Sequence, residues 1–151
     1  MAKPIRIVVH CTGEPAESVR SREYYRHLFF DVYKWHHWGY HCLVYQDGTW
    51  EHLQPLPKVM PNGANIDYNT KANGAKGYNN DSLHIAYVGG LNQYSFRPAD
   101  TRTPEQKATL RVLIAEWKRI YGIKTVIGHC DLDGVTKFCP CFNAEIEYRY
   151  V

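Results

Sequence analysis

Short β-branched runs, one long amphipathic stretch and two polar segments rich in glycine and asparagine divide the chain. Ile5-Arg6-Ile7-Val8-Val9 has the length and composition of a buried strand and ends at His10. Residues 12–15 read as a loop. Across residues 17–33, Val19, Tyr24, Leu28 and Val32 recur at helical spacing and predict a helix. Residues 35–39 form an aromatic connector. Residues 40–45 and 49–53 read as two strands joined at Gln46-Asp47-Gly48, because Asp-Gly between two such runs is a strong hairpin signal. Residues 55–81 hold Pro55, Pro57, Pro61, Gly63, Gly74, Gly77 and several Asn, which predicts a long irregular loop. Its one internal echo, Asn62-Gly63-Ala64-Asn65 against Asn73-Gly74-Ala75-Lys76, is too short to be a repeat architecture.

Residues 82–88 read as a central strand closed by Gly89-Gly90, followed by a second loop over residues 91–102. Thr103-Pro104-Glu105-Gln106 supplies an N-cap Thr, a Pro at the first helical position and a Gln at the third, the pattern of a capping box. Leu110, Leu113, Ile114, Trp117 and Tyr121 form the apolar stripe of the helix that follows, and Gly122 ends it. Thr125-Val126-Ile127 is a strand ending at Gly128-His129, and Asn143 caps a short final helix. The order strand, helix, hairpin, strand, helix, strand predicts an α/β fold: one mixed central sheet flanked by helices. A length of 151 residues closes one core and leaves no room for a second domain, so residues 1–151 are expected to form a single domain.

Composition changes this picture little. Hydrophobic residues make up 44% and charged residues 22%, which argues against disorder. Twelve Tyr and four Trp suit either a Tyr-rich core and rim or a groove that stacks on sugar rings. The net charge of +3 is mild, and without a Lys/Arg block it gives no reason to expect nucleic acid. No apolar run approaches membrane-spanning length, and residues 5–9 lack the features of a signal segment. The expectation is a protein kept off membranes, made in the cytoplasm without its own export signal. Five cysteines in such a setting read as free thiols and one metal thiolate rather than a disulfide framework.

His10 and His129 both stand at strand ends, where sheets of this kind place their sites, and Cys139 follows in a loop that also holds Lys137. Two neutral imidazoles and a thiolate suit Zn²⁺ with one position left open for water. Spacing alone leaves core histidines and buried free thiols as an open alternative. Lys137 alone is equally a solvated surface charge, and Tyr40 a rim aromatic. His41 follows Tyr40 and by strand alternation points the other way, so it reads as packed. His36 and His37 read as surface residues, and His84 as either near the pocket or buried with a partner.

Seven segments occur in fixed order: Val-Val-His-Cys-Thr, Gly-Tyr-His before the hairpin, Ala-Lys-Gly-Tyr-Asn-Asn-Asp-Ser, Tyr-Val-Gly-Gly, Arg-Thr-Pro-Glu-Gln, Gly-His-Cys-Asp and Lys-Phe-Cys-Pro. Over about residues 7–142 the chain resembles the type 2 N-acetylmuramoyl-L-alanine amidases, phage and prophage endolysins above all, and more distantly the peptidoglycan recognition proteins. That resemblance implies their shared fold and hydrolysis of the amide bond between N-acetylmuramic acid and L-alanine in bacterial peptidoglycan. It implies one Zn²⁺ on His10, His129 and Cys139, with Tyr40 and Lys137 as catalytic residues. It implies substrate contacts at Lys76 and Tyr78, with His84 a further candidate. A monomer whose partner is peptidoglycan is expected, one that reaches the wall by a separate release route. A non-catalytic peptidoglycan-binding module and a thiol peptidase are the competing readings; the first would lack the cysteine ligand, and the second would ignore a chelator. Three departures from the family stand out: Cys130 where Arg or His is common, Gly74 where a phage member has His, and an apparent insertion over residues 57–73. Cys141, two residues past Cys139, is a conceivable exchange ligand.

Overall fold

The computed structural model describes residues 1–59 and 68–151; the echo at residues 62–65 and Pro61 and Gly63 lie outside the described residues. Among the described residues seven strands form: β1 (Arg6–Cys11), β2 (Glu14–Pro15), β3 (Cys42–Val44), β4 (Trp50–His52), β5 (Ser82–Tyr87), β6 (Gly90–Leu91) and β7 (Thr125–Gly128). Five of them make one sheet in the order β4-β3-β5-β1-β7, while β2 and β6 pair separately. β1 runs parallel to both β5 and β7, β3 is parallel to β5, and only β4 is antiparallel. The sheet is therefore mixed, as the element order predicts. β1 and β5 are buried along almost their whole length, which is why they read as near-continuous apolar runs.

Alternation along the strands divides the sheet into two faces. Ile7, Val9, Leu83, Ile85 and Val126 pack against Leu110, Leu113, Ile114 and Trp117 of α2 (Pro104–Tyr121) and against Tyr148 of α3 (Ala144–Tyr148). On the other face Leu43, Ala86 and Val88 meet Tyr25, Phe29 and Trp38, while Val8 meets Ala75 and Leu132. This second face carries the site.

The capping box at Thr103 forms in full, and Gly122 ends α2 in the left-handed region at φ 65°. Asp47 closes the hairpin by accepting from the Thr49 backbone N–H at 2.9 Å and its hydroxyl at 2.6 Å. Two expectations need correction. The first helix is shorter than residues 17–33: α1 (Arg22–Arg26) starts after the cap Ser21 and widens into a π-helical turn at His27–Val32. Its buried residues are Tyr25 and Phe29, whereas Val19 is 91% and Val32 54% exposed. Val19 lies before the helix begins, and the wider turn shifts the residues within it, so Val32 leaves the line read from 3.6-residue spacing. His37, expected on the surface, is buried: the returning chain lays Gln54 over it, with Gln54 Nε2 3.1 Å from its Nδ1. Among the described residues no helix is long and apolar enough to cross a membrane.

Candidate metal centre and cleft

Parallel register brings the two strand-end histidines together. Val9 pairs with Gly128, so the next residues, His10 and His129, lie side by side on the site face with ring centroids 4.7 Å apart. Cys139 arrives from the loop after β7. Gly128 lets it close: a Cβ there would stand 2.6 Å from Cδ of Pro140. The Cys130 N–H donates to the Cys139 carbonyl at 2.8 Å, and the Tyr87 hydroxyl donates to the Pro140 carbonyl at 2.7 Å. The result is a group in which one ligand atom each of His10, His129 and Cys139 lies within 4.8 Å of the others.

The electrostatics suit a cation. Burial, then the charges of His129 and Lys137, hold His10 well below the usual imidazole range. Burial and Lys137 likewise lower His129. Both rings are thus neutral near pH 7 and carry a lone pair. The Cys139 sulfur accepts the Cys11 backbone N–H at 3.1 Å. The Cys11 thiol is pushed up, first by its hydrogen bond to Cys139 and then by burial, so it stays protonated beside that sulfur. Two imidazole nitrogens and a sulfur bonded by an amide form a soft donor set that fits Zn²⁺ with one position left open. Cys141 is turned away, its thiol toward the Gly90 carbonyl at 3.5 Å, and Cys130 faces Asp131.

His10, Cys11, His129 and Cys139 line a cleft of about 430 Å³ that also takes in Tyr40, Lys137, Glu14, Tyr24, Tyr33 and Trp35. Tyr40 stands beside His10 with ring centroids 5.2 Å apart and against the edge of Phe29 at 5.7 Å. Burial, with the neighbouring Cys139 and Cys11, raises its hydroxyl well above the ordinary phenol range. Lys137 is exposed and belongs both to this cleft and to an adjoining recess of about 810 Å³, whose walls include Lys71, Lys76 and Asp133. Trp35, Asn73, Gly74 and His129 border both hollows.

The other sequence candidates separate. Lys76 is exposed on the wall of the recess. Tyr78 lines neither hollow; its hydroxyl donates to the Asp133 carbonyl at 3.3 Å and its ring lies under the Arg6 guanidinium at 5.5 Å, so it braces the loop. His84 is wholly buried and cannot touch a substrate, a correction that follows from its place in the middle of β5. Its Nδ1 lies 2.9 Å from His10 Nε2. His41 is also buried, bonded through Nε2 to the Thr70 carbonyl at 2.6 Å. Sequence reading missed the Cys11 amide, the Tyr24–Trp35 aromatic wall and the His10–His84 contact. Only the last left a signal: two histidines at the same parity in neighbouring parallel strands.

A mixed α/β sheet thus sets two strand-end histidines and a loop cysteine together at one cleft. Residues 1–142 match the N-acetylmuramoyl-L-alanine amidase family, and the chain belongs to it. It is 30% identical over 145 residues to the endolysin of Klebsiella phage KP32, covering 91% of this chain and 81% of that one. Among solved structures it is similar to the N-acetylmuramoyl-L-alanine amidase LysC from Clostridium intestinale URNW (TM-score 0.69, 23% identity, 96% of this chain and 81% of that chain). The recognition protein PGRP-SA of Apis mellifera has the same fold (TM-score 0.69, 18% identity, 98% and 82% covered).

Proposed function

We propose that the protein is a zinc-dependent N-acetylmuramoyl-L-alanine amidase of the phage or prophage endolysin kind. Its bond is the amide between N-acetylmuramic acid and L-alanine in bacterial peptidoglycan. The observation that carries the reading is the convergence of His10, His129 and Cys139 on one point at the cleft floor. The presence of the cysteine favours catalysis over wall binding alone.

Zinc held there would supply a Lewis acid and a water nucleophile ionisable near pH 7. His10 and His129 serve as neutral nitrogen donors, because burial keeps protons off them. Tyr40 keeps its hydroxyl proton and donates it as a hydrogen bond to the oxygen of the scissile amide. Lys137, at the junction of the two hollows, sets an ammonium against the negative charge that develops on that oxygen. The aromatic wall of Tyr24, Tyr33 and Trp35 offers flat faces to the sugar. Lys71 and Lys76 offer positive charge to the carboxylates of the stem peptide. The chain works as one catalytic domain and as a monomer, made in the host cytoplasm and delivered to the wall by a separate release route.

Purified peptidoglycan digested with the protein should yield muropeptides with a free lactyl carboxylate on the sugar, read by mass spectrometry. EDTA should stop the reaction and added Zn²⁺ restore it. Activity indifferent to EDTA would favour a thiol peptidase, and binding without cleavage would favour a recognition module.

A further inference from the structure

We propose that His84 is the positioning residue that fits His10 for metal, by accepting the proton of its far nitrogen, and that Gly74 makes room for it. The inference rests on the zinc amidase reading above. A neutral imidazole carries one N–H, so of the facing pair His10 Nε2 and His84 Nδ1 one donates and the other accepts. Were His84 the donor, His10 would accept at Nε2 and hold its own proton at Nδ1. Neither nitrogen would then be open to a metal. With His10 as donor, its Nδ1 lone pair is free to join His129 and Cys139. Metal-binding histidines usually give their second N–H to a carboxylate, a carbonyl or water, which fixes ring orientation and tautomer. Here a second imidazole fills that place.

Having accepted at Nδ1, His84 must keep its own proton at Nε2. That atom is buried and has no hydrogen-bond partner among the described residues. A buried group left unsatisfied calls for an explanation, and the packing around the ring supplies one. His84 lies parallel to His41, with centroids 6.0 Å apart and planes within 2°. His41 is itself fixed, its Nδ1 accepting the His84 backbone N–H at 3.0 Å and its Nε2 donating to the Thr70 carbonyl. Gly74 closes over the ring from the cleft side. A Cβ on Gly74 would overlap Nδ1, Cγ and Cε1 of His84, so any other residue there would push the ring off its place. The ring is thus held with Nδ1 against His10 at the expense of Nε2. The site's own glycine and its buried histidine form a matched pair.

The test measures zinc affinity by competition with a chromogenic chelator, on variants whose folding is checked by circular dichroism. His84→Leu should weaken zinc binding about 10–100-fold, the usual effect of losing such a partner. His84→Asn, whose Oδ1 accepts from near the position of Nδ1, should keep affinity close to that of the parent protein. Gly74→Ala should weaken binding as His84→Leu does, with every donor left in place. In ¹⁵N-resolved spectra of the zinc-loaded protein, the His10 ring proton should sit on Nε2 and the His84 proton on Nε2. Parent-like affinity in His84→Leu, an Asn variant no better than Leu, or a proton on His84 Nδ1 would each overturn the assignment. A parent protein that takes up no zinc would instead overturn the amidase reading itself.

Discussion

Burial sets the chemistry of single side chains in this protein. His41 is held down to about 4 from 6.5, chiefly by burial, with His52 adding to the effect and the Thr70 hydrogen bond opposing it. Its ring also faces His84 and the edge of Trp117. Because the folded value lies below the unfolded one, stability is full above about pH 6.5 and drains away as pH falls toward about 4, by about 3 kcal/mol from this residue. Urea midpoints at pH 7 and pH 4.5 should differ accordingly, and His41→Gln should show the smaller drop; equal drops would remove His41 from the account. Within the cleft, Cys139→Ser should abolish zinc uptake and lysis together. Lys137→Ala should retain stoichiometric zinc and lose turnover by about 10²–10³-fold, as when one oxyanion donor is removed. Zinc in the Cys139→Ser protein at one per chain would contradict the ligand set. The residues of this site were legible because short motifs surround them. The contact between His10 and His84 left only a parity signal, since alternation gives the face of the sheet and not which strand lies beside it.

Secondary-structure elements differ in how much of themselves they reveal, and α1 and α2 mark the two extremes. α2 carries its own punctuation: Thr103 Oγ1 accepts the Gln106 N–H at 3.1 Å, and the Gln106 side chain returns the bond to Thr103 N at 3.0 Å. Gln106 does more than cap. Its buried Nε2 also donates to the Val44 and Val88 carbonyls at 3.2 and 3.0 Å, tying the helix start to the ends of β3 and β5. Thr103→Ala should therefore cost about 1 kcal/mol. Gln106→Ala should cost more, because it also takes the donor from the Val88 carbonyl at about 1–3 kcal/mol, while the Val44 carbonyl keeps the Val88 N–H at 2.9 Å. Thermal or denaturant unfolding ranks the two, and the reverse order would show that the side-chain bridge contributes nothing. α1 has no such punctuation beyond Ser21, and its π-helical turn breaks the spacing on which any helical reading depends. Tyr24 of α1 and Leu28 of the π-helical turn nonetheless both line the cleft wall.

The whole molecule is closed by a buried cation. Arg102, with a side chain 1% exposed, reaches Asp100, Glu147 and Tyr148 and lies over the Phe142 ring at 3.3 Å. It ties α3 and the segment just past Cys139 to the segment leading into α2, and so braces the loop that delivers the cysteine. Arg102→Met should destabilise the fold by about 3 kcal/mol, the low end of the range for breaking a buried pair, because both carboxylates keep partial access to water. It should also weaken zinc binding more than a surface variant of equal stability does. A variant with parent-like unfolding and parent-like zinc affinity would show that the clasp is ornamental to the site.

Local physics wrote much of this protein into its sequence. β-branched runs gave β1 and β7, Thr-Pro-Glu-Gln the start of α2 and Asp-Gly the hairpin; ordered short motifs pointed to the family and to the residues of the cleft. Convergence was left to the tertiary structure. The Cys11 amide and the Cys139 sulfur meet across 128 positions, and no local spacing encodes that contact. Parallel register brings His10 beside His129, and a closed loop sets the sulfur beneath them. The same packing turns His84 from a candidate for touching substrate into a buried neighbour of His10. Which atoms face one another depends on strand pairing and on close packing around them, quantities that exist only once the whole chain has folded.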